Sequence, residues 1–202
     1  MEKTEEFWQW FVAHAEELTA IGDLEAEGQS ALMGDLRSRL NRYCEGLDVE
    51  LGEATASGRT LTFTAEGDTD LFRYVVELVD AAPDVDWWNF VAFKQPLGTQ
   101  LKVRFGRYLF ETQKMYFQQL ECEEEPEMLG LRVAVDGNRP DDEDFQVGVY
   151  VTLEALIGEF DCATLIGYLD TVDLPAEPFK EGFQPLDHLP EFVEWFKRKR
   201  DE

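Results

Sequence analysis

The side chains that could carry chemistry in this chain are two histidines, three cysteines and 43 aspartates or glutamates, set among 202 residues. His14 falls midway through an aromatic and acidic stretch of helical spacing, and His188 in a proline-flanked segment just before the last predicted helix. Neither has a second histidine at ligand spacing, so a structural or surface role is favoured over catalysis for both. Cys44, Cys122 and Cys162 are odd in number, far apart and without a CxxC pair, which argues against a disulfide framework and a zinc site and for a reducing, cytoplasmic location. Cys122 lies among glutamates that raise a thiol pKa and Cys162 follows Asp161, so no reactive thiolate is indicated. There is no GxSxG elbow, no P-loop and no GxGxxG after a strand.

Carboxylates are so abundant that some pair must lie close in space, and a glycosidase-like acid and base could be built from them. The same abundance means that no pair is singled out, because the burial that shifts a carboxyl pKa is not visible in sequence. Asp136-Gly137-Asn138, followed by Asp141 to Asp144, clusters oxygens that could meet Ca²⁺, but it lacks the alternate acids, central glycine and closing glutamate of an EF-hand. It reads as a solvated acidic loop. No catalytic residue, cofactor site or metal ligand is assigned on these grounds.

Charge is more informative than any motif. Against the acids stand 18 Lys and Arg, for a formal net charge of −25 and a sequence pI near 4.3. Such a field repels phosphate backbones and anionic bilayers, which disfavours nucleic acid and membrane surfaces as partners. The N-terminal MEKTEEFWQWF is acidic where a secretory signal would be basic and then apolar, and nowhere do 18 apolar residues run together. The acids are unevenly placed: Pro140 to Phe196 holds fourteen of them against Lys180 alone, whereas Lys94 to Lys114 holds five bases against Glu111. The basic island is read as intramolecular counter-charge and edge-strand protection rather than an anion site.

The elements that must position these groups follow from periodicity. Phe7, Phe11 and Leu18 with Trp8 and Ala15 give a helix over 4–20, and Leu32, Leu36, Leu40, Tyr43 and Leu47 a second ending near Gly46. Leu61, Phe63 and Ala65 alternating with threonines predict a strand, joined to Val49 and Leu51 by a hairpin through Ser57 and Gly58. Asp68 caps a third helix that Pro83 closes. Val85–Phe93 reads as a central strand with Trp87 and Trp88 on opposite faces. Strands around Leu101–Phe105, Met115–Leu120 and Leu129–Val135 follow, the last two joined by the acidic run 121–127. Segment 142–157 fits both periods, and its leading acids and Gly158 favour a helix. A strand over Thr164–Val172, an irregular connection to Pro185 and a helix over Pro190–Lys199 complete the chain. The motif E-F-x-x-W-F recurs at Glu6–Phe11 and Glu191–Phe196 without any surrounding repeat, and is read as coincidence. The expected fold is α+β in a single domain, 1–202: a helical N-terminal segment (1–47), a mixed or mainly antiparallel sheet of six to seven strands with helices packed on it (48–174), and a loop with a C-terminal helix (175–202).

Two stretches, LTFTAEGDTDLFRYVVELVDAAPDVDWWNFVAFKQP (Leu61–Pro96) and LEALIGEFDCATLIGY (Leu153–Tyr168), carry a resemblance. The Leu-Val-x-x-Ala-Pro helix end, the Trp-bearing strand and the later Ile157-Gly158-Glu159 resemble an uncharacterised family of bacterial cytosolic α+β proteins. The two stretches make up about a quarter of the chain. The likeness implies a fold and no activity or functional residue.

The leading expectation is a non-enzymatic, acidic, cytoplasmic protein that binds another protein, a basic one in the manner of an acidic immunity protein, with self-association left open. The alternative is a carboxylate-based hydrolase, with or without a divalent metal. Adaptation to high salt would also account for the charge, and predicts folding that improves in molar salt.

Overall fold

A computed structural model describes residues 2–121 and 127–200. The chain falls into two compact units, Met1–Lys94 and Gln95–Glu202, so that the division lies within the stretch 48–174. Among the described residues there are six α-helices and nine strands. The expected α+β class is what the structure shows, but the single sheet of six to seven strands is replaced by three small sheets of three, two and four strands.

In the first unit, α1 (Lys3–Thr19) and α2 (Ala26–Tyr43) precede the hairpin of β1 (Asp48–Leu51) and β2 (Arg59–Thr64), which pair antiparallel with Val49 opposite Phe63. Helix α1 starts at Lys3 behind Glu2, which makes no side-chain cap. The Asp68 carboxylate accepts from Asp70 N at 3.0 Å and caps a 3-10 turn leading into α3 (Phe72–Asp80). Strand β3 (Trp88–Ala92) then pairs parallel with β2, Leu61 beside Phe90 and Phe63 beside Ala92. Register places Val49, Leu61, Phe63, Trp88 and Phe90 on one face. The rings of α1 meet that face: Trp8 lies 4.6 Å from Phe90 and 5.7 Å from Phe63, and Phe11 lies 4.9 Å from Trp88. Trp8 Nε1 donates to Leu78 O at 3.0 Å, and the Tyr43 hydroxyl donates to Tyr74 O at 2.9 Å, tying α1 and α2 to α3.

Two expectations are corrected here. The Trp-bearing strand is an edge strand, in the order β1-β2-β3, and not a central one. Nor do Trp87 and Trp88 alternate across it, because Trp87 precedes the strand with φ at +69°. The sheet face opposite α1 carries Asp48, Glu50, Thr60, Thr62 and Asn89, so the tryptophan doublet does not signal apolar cover on both sides.

The second unit opens with the hairpin β4 (Lys102–Phe105) and β5 (Tyr108–Glu111). Strand β5 was not predicted, because Tyr108, Leu109 and Phe110 are apolar without alternation. A four-stranded sheet follows, made by β6 (Tyr116–Leu120), β7 (Leu129–Val135), β8 (Ile166–Asp173) and the short β9 (Gln184–Pro185), in the order β8-β7-β6-β9. Between β7 and β8 run α4 (Glu143–Ile157) and α5 (Glu159–Leu165), and α6 (Leu189–Arg200) ends the unit. Helix α4 settles the segment that fitted both periods: Asp142 accepts from Phe145 N at 3.2 Å, and Gly158 ends the helix at φ +84°. The predicted strand 164–172 begins as helix α5 and extends only from Ile166. Leu129, Leu131, Val133 and Val135 of β7 share one core with Phe145, Val149 and Leu153 of α4, Cys162 and Leu165 of α5, and Val193 of α6. Gly148 lets β5 approach α4, since a Cβ there would stand 2.3 Å from the Phe110 ring. Most of the acidic connection 121–127 lies outside the described residues.

Candidate functional site

The structure disperses the residues that looked reactive. His14 Nδ1 lies 2.8 Å from Trp10 O, and its ring stacks on Trp10 at 4.3 Å, whereas His188 sits exposed at the end of a 3-10 turn in the other unit. Cys44 is half-buried and Cys122 is outside the described residues. Cys162 is buried, and burial pushes its thiol up to about 12, with the Tyr150 hydroxyl bonded to it and Glu154 and Asp161 nearby. A thiol with that pKa is about 10⁻⁴ ionised at pH 8. Native protein is therefore expected to leave Cys162 unmodified by iodoacetamide at pH 8 while urea-unfolded protein is modified within minutes, read by peptide mass spectrometry; labelling of native Cys162 as fast as Cys44 would contradict it.

The calcium-like loop is put to structural use. Asp142 caps α4 and takes a 2.6 Å hydrogen bond from the Tyr108 hydroxyl, which together with the Phe145 N–H and Arg107 holds its carboxyl below the usual range. Asp173 accepts from Gly137 N at 2.8 Å. Among the described residues no three His, Cys, Asp or Glu side chains are grouped so as to hold a metal ion. The basic island is counter-charged within the chain: Lys94 pairs with Glu66 at 2.8 Å, Arg107 with Asp142 at 2.5 Å, and Lys102 with Glu111 at 3.0 Å, Glu111 also taking Lys114. Two carboxylates that sequence could not distinguish, Glu154 and Glu159, are buried where α4 meets α5.

What the structure assembles instead is a trough along α1. Helical period puts Phe7, Phe11 and Leu18 into the core and leaves Glu5, Gln9, Val12, Glu16 and Thr19 along the helix flank. Two depressions follow this flank and share Val12, one of 590 Å³ reaching Asp84–Trp88 and one of 520 Å³ reaching Ala81 and Pro83. From Glu2 to Thr19 the trough runs about 25 Å at the helical rise per residue. Its apolar part includes Trp8, Val12, Pro83, Val85 and Trp87, with Val12 51% and Trp87 63% exposed. Glu2, Glu5, Glu16, Asp84 and Asp86 line it as well, all solvent-exposed, and no Lys or Arg is among the described lining residues.

Trp87 is held in place by backbone. Trp88 N donates to Val85 O at 3.1 Å, closing a four-residue turn whose third position, Trp87, has φ +69°. Glycine or asparagine normally fills such a position, and a bulky residue there costs about 1–3 kcal/mol. Arg59 N donates to Trp87 O at 2.7 Å. The Arg59 side chain donates from Nη1 to Leu18 O at 3.0 Å and Thr19 O at 3.1 Å, and from Nε to Gly52 O at 2.8 Å. One residue thereby anchors both walls of the trough, the C-terminal end of α1 and the turn 85–88, with its charge at the favourable end of the helix dipole. The sequence signal that could have located this site was Trp87 beside Trp88: if the two do not alternate on a strand, one of them stands in a turn.

Compared with protein-family models, with curated proteins and with solved structures, the chain matches none of them. Among the described residues no helix is long and apolar enough to cross a membrane.

Proposed function

We propose that this protein is a binding module that takes up a basic, partly apolar segment of another protein in the trough along α1. The observation that carries this reading is the combination of an exposed apolar strip, Val12 and Trp87, with five exposed carboxylates along one trough. Apolar contact supplies the affinity in such a pairing, and the carboxylates supply steering and selection for positive charge. The net charge of −25 extends that steering beyond the trough.

The test is calorimetric titration with an amphipathic peptide of alternating basic and leucine residues, at low and at high salt. Binding is expected to weaken at least tenfold at high salt, and to fall at least tenfold in the triple variant Glu16→Lys, Asp84→Lys, Asp86→Lys, whose positions are exposed. Equal binding by wild type and triple variant would refute the reading. A carboxylate-based hydrolase stands as the second reading, favoured by the burial of Glu154 and Glu159 together. It requires turnover of a glycoside or ester that Glu159→Gln abolishes in folded protein.

A further inference from the structure

Resting on the proposed function, the geometry points to arginine as the residue the trough selects: we propose that a guanidinium of the partner segment stacks on Trp87 between Glu16 and the Asp84–Asp86 pair.

Two observations converge on the wider depression. The first is the Trp87 ring, 63% exposed and kept there by a turn that a tryptophan enters only under strain. A strained outlier that leaves a large aromatic in solvent costs stability twice, which directs attention to a ligand for that ring. The second is the sign of the surroundings: Glu16, Asp84 and Asp86 line the same depression, and the described residues lining it include no cation. A planar cation stacks on an indole face while its edge N–H groups remain free for carboxylates, and guanidinium does both where ammonium is a compact point charge.

The experiment uses the full chain and three capped peptides that differ at one position, arginine, lysine or citrulline, in an otherwise lysine- and leucine-containing segment. Affinities are read by calorimetry and by tryptophan emission. The arginine peptide is expected to bind at least threefold tighter than the lysine peptide and tenfold tighter than the citrulline one. Trp87→Ala is expected to erase the arginine preference and Trp87→Phe to retain part of it. Thermal melts establish that each variant is folded, and Trp87→Phe keeps the test decisive if Trp87→Ala does not fold. Equal binding of arginine and lysine peptides, unaffected at Trp87, would overturn this inference and leave the basic-partner reading standing. Failure of all three peptides to bind would overturn both.

Discussion

Replacing Trp8 by alanine is expected to unfold most of the first unit at room temperature. Trp8 is 5% exposed and its ring lies 5.0 Å from Phe7, 5.7 Å from Phe11 and Phe63, and 4.6 Å from Phe90, so that it is the hub through which α1 meets β2 and β3. Truncating a buried aromatic to alanine costs about 3–5 kcal/mol, because transfer free energy and an uncollapsed cavity add. The Leu78 carbonyl, which accepts from Trp8 Nε1 in the interior, loses its donor at a further cost of about 1–3 kcal/mol. Against a total stability of about 5–15 kcal/mol for a domain, that sum removes most of the margin. Trp8→Phe is the milder variant, keeping one aromatic ring in the core while losing the donor and the rest of the indole. Urea denaturation should show a midpoint for Trp8→Phe between those of wild type and Trp8→Ala; an unchanged midpoint for Trp8→Ala would contradict the aromatic core described above.

The second large effect is expected at Gly58, for a reason that lies in the backbone. At φ +116° this residue occupies a region that L side chains rarely enter, and an added Cβ would stand 2.6 Å from Trp87 O and 3.0 Å from Trp87 C. Those are main-chain atoms, which cannot swing aside as the end of a long side chain would. Gly58→Ala should therefore cost about 2–4 kcal/mol, from the disallowed φ together with the forced separation of the two segments. It should also break the 2.7 Å bond from Arg59 N to Trp87 O and release the turn that displays Trp87. Loss of peptide binding is thus expected along with the fall in stability. Gly34→Ala in α2 is the control: nothing lies within 4 Å of its Cβ position. There the substitution should stabilise the protein by up to about 1 kcal/mol through helix propensity. Denaturation of both variants, read beside Trp emission, checks the pair; equal behaviour of the two would show that the Gly58–Trp87 approach is not a constraint.

Much of the local structure was legible from residue order. Leu129 to Val135 alternates and is a strand over that same range, and the acids before Phe145 with Gly158 behind Ile157 correctly made a helix of a segment whose apolar residues fitted either period. The Ser57–Gly58 hairpin and the Asp68 cap were readable for the same reason. Each of these choices is decided within a few residues, by the burial period of one element and by the polar groups that satisfy its ends. The opposed charge of the basic island was legible too, and its pairing with Glu66, Glu111 and Asp142 follows the intramolecular reading.

Only the tertiary structure decided where those elements go and what they make together. Periodicity cannot say which strands pair, so one sheet was expected where there are three, and β3 was placed centrally although it closes an edge. The trough was invisible for a related reason: its two walls, α1 and residues 81–88, are more than sixty positions apart in the chain, and their meeting depends on Arg59, which belongs to neither. Trp87 shows the limit most sharply. Its type and its neighbour both favour an extended strand, and a hydrogen bond from Arg59 N, made across the close backbone approach that Gly58 permits, holds it in a left-handed turn instead. Composition alone determined that the protein is strongly acidic; the fold determined that some of that acidity is spent on its own cations and caps, while five carboxylates are left in the open beside an exposed indole. Local propensity acts along the chain, whereas a site is made by contacts across it, and those contacts can outweigh the local preference of the residue they fix.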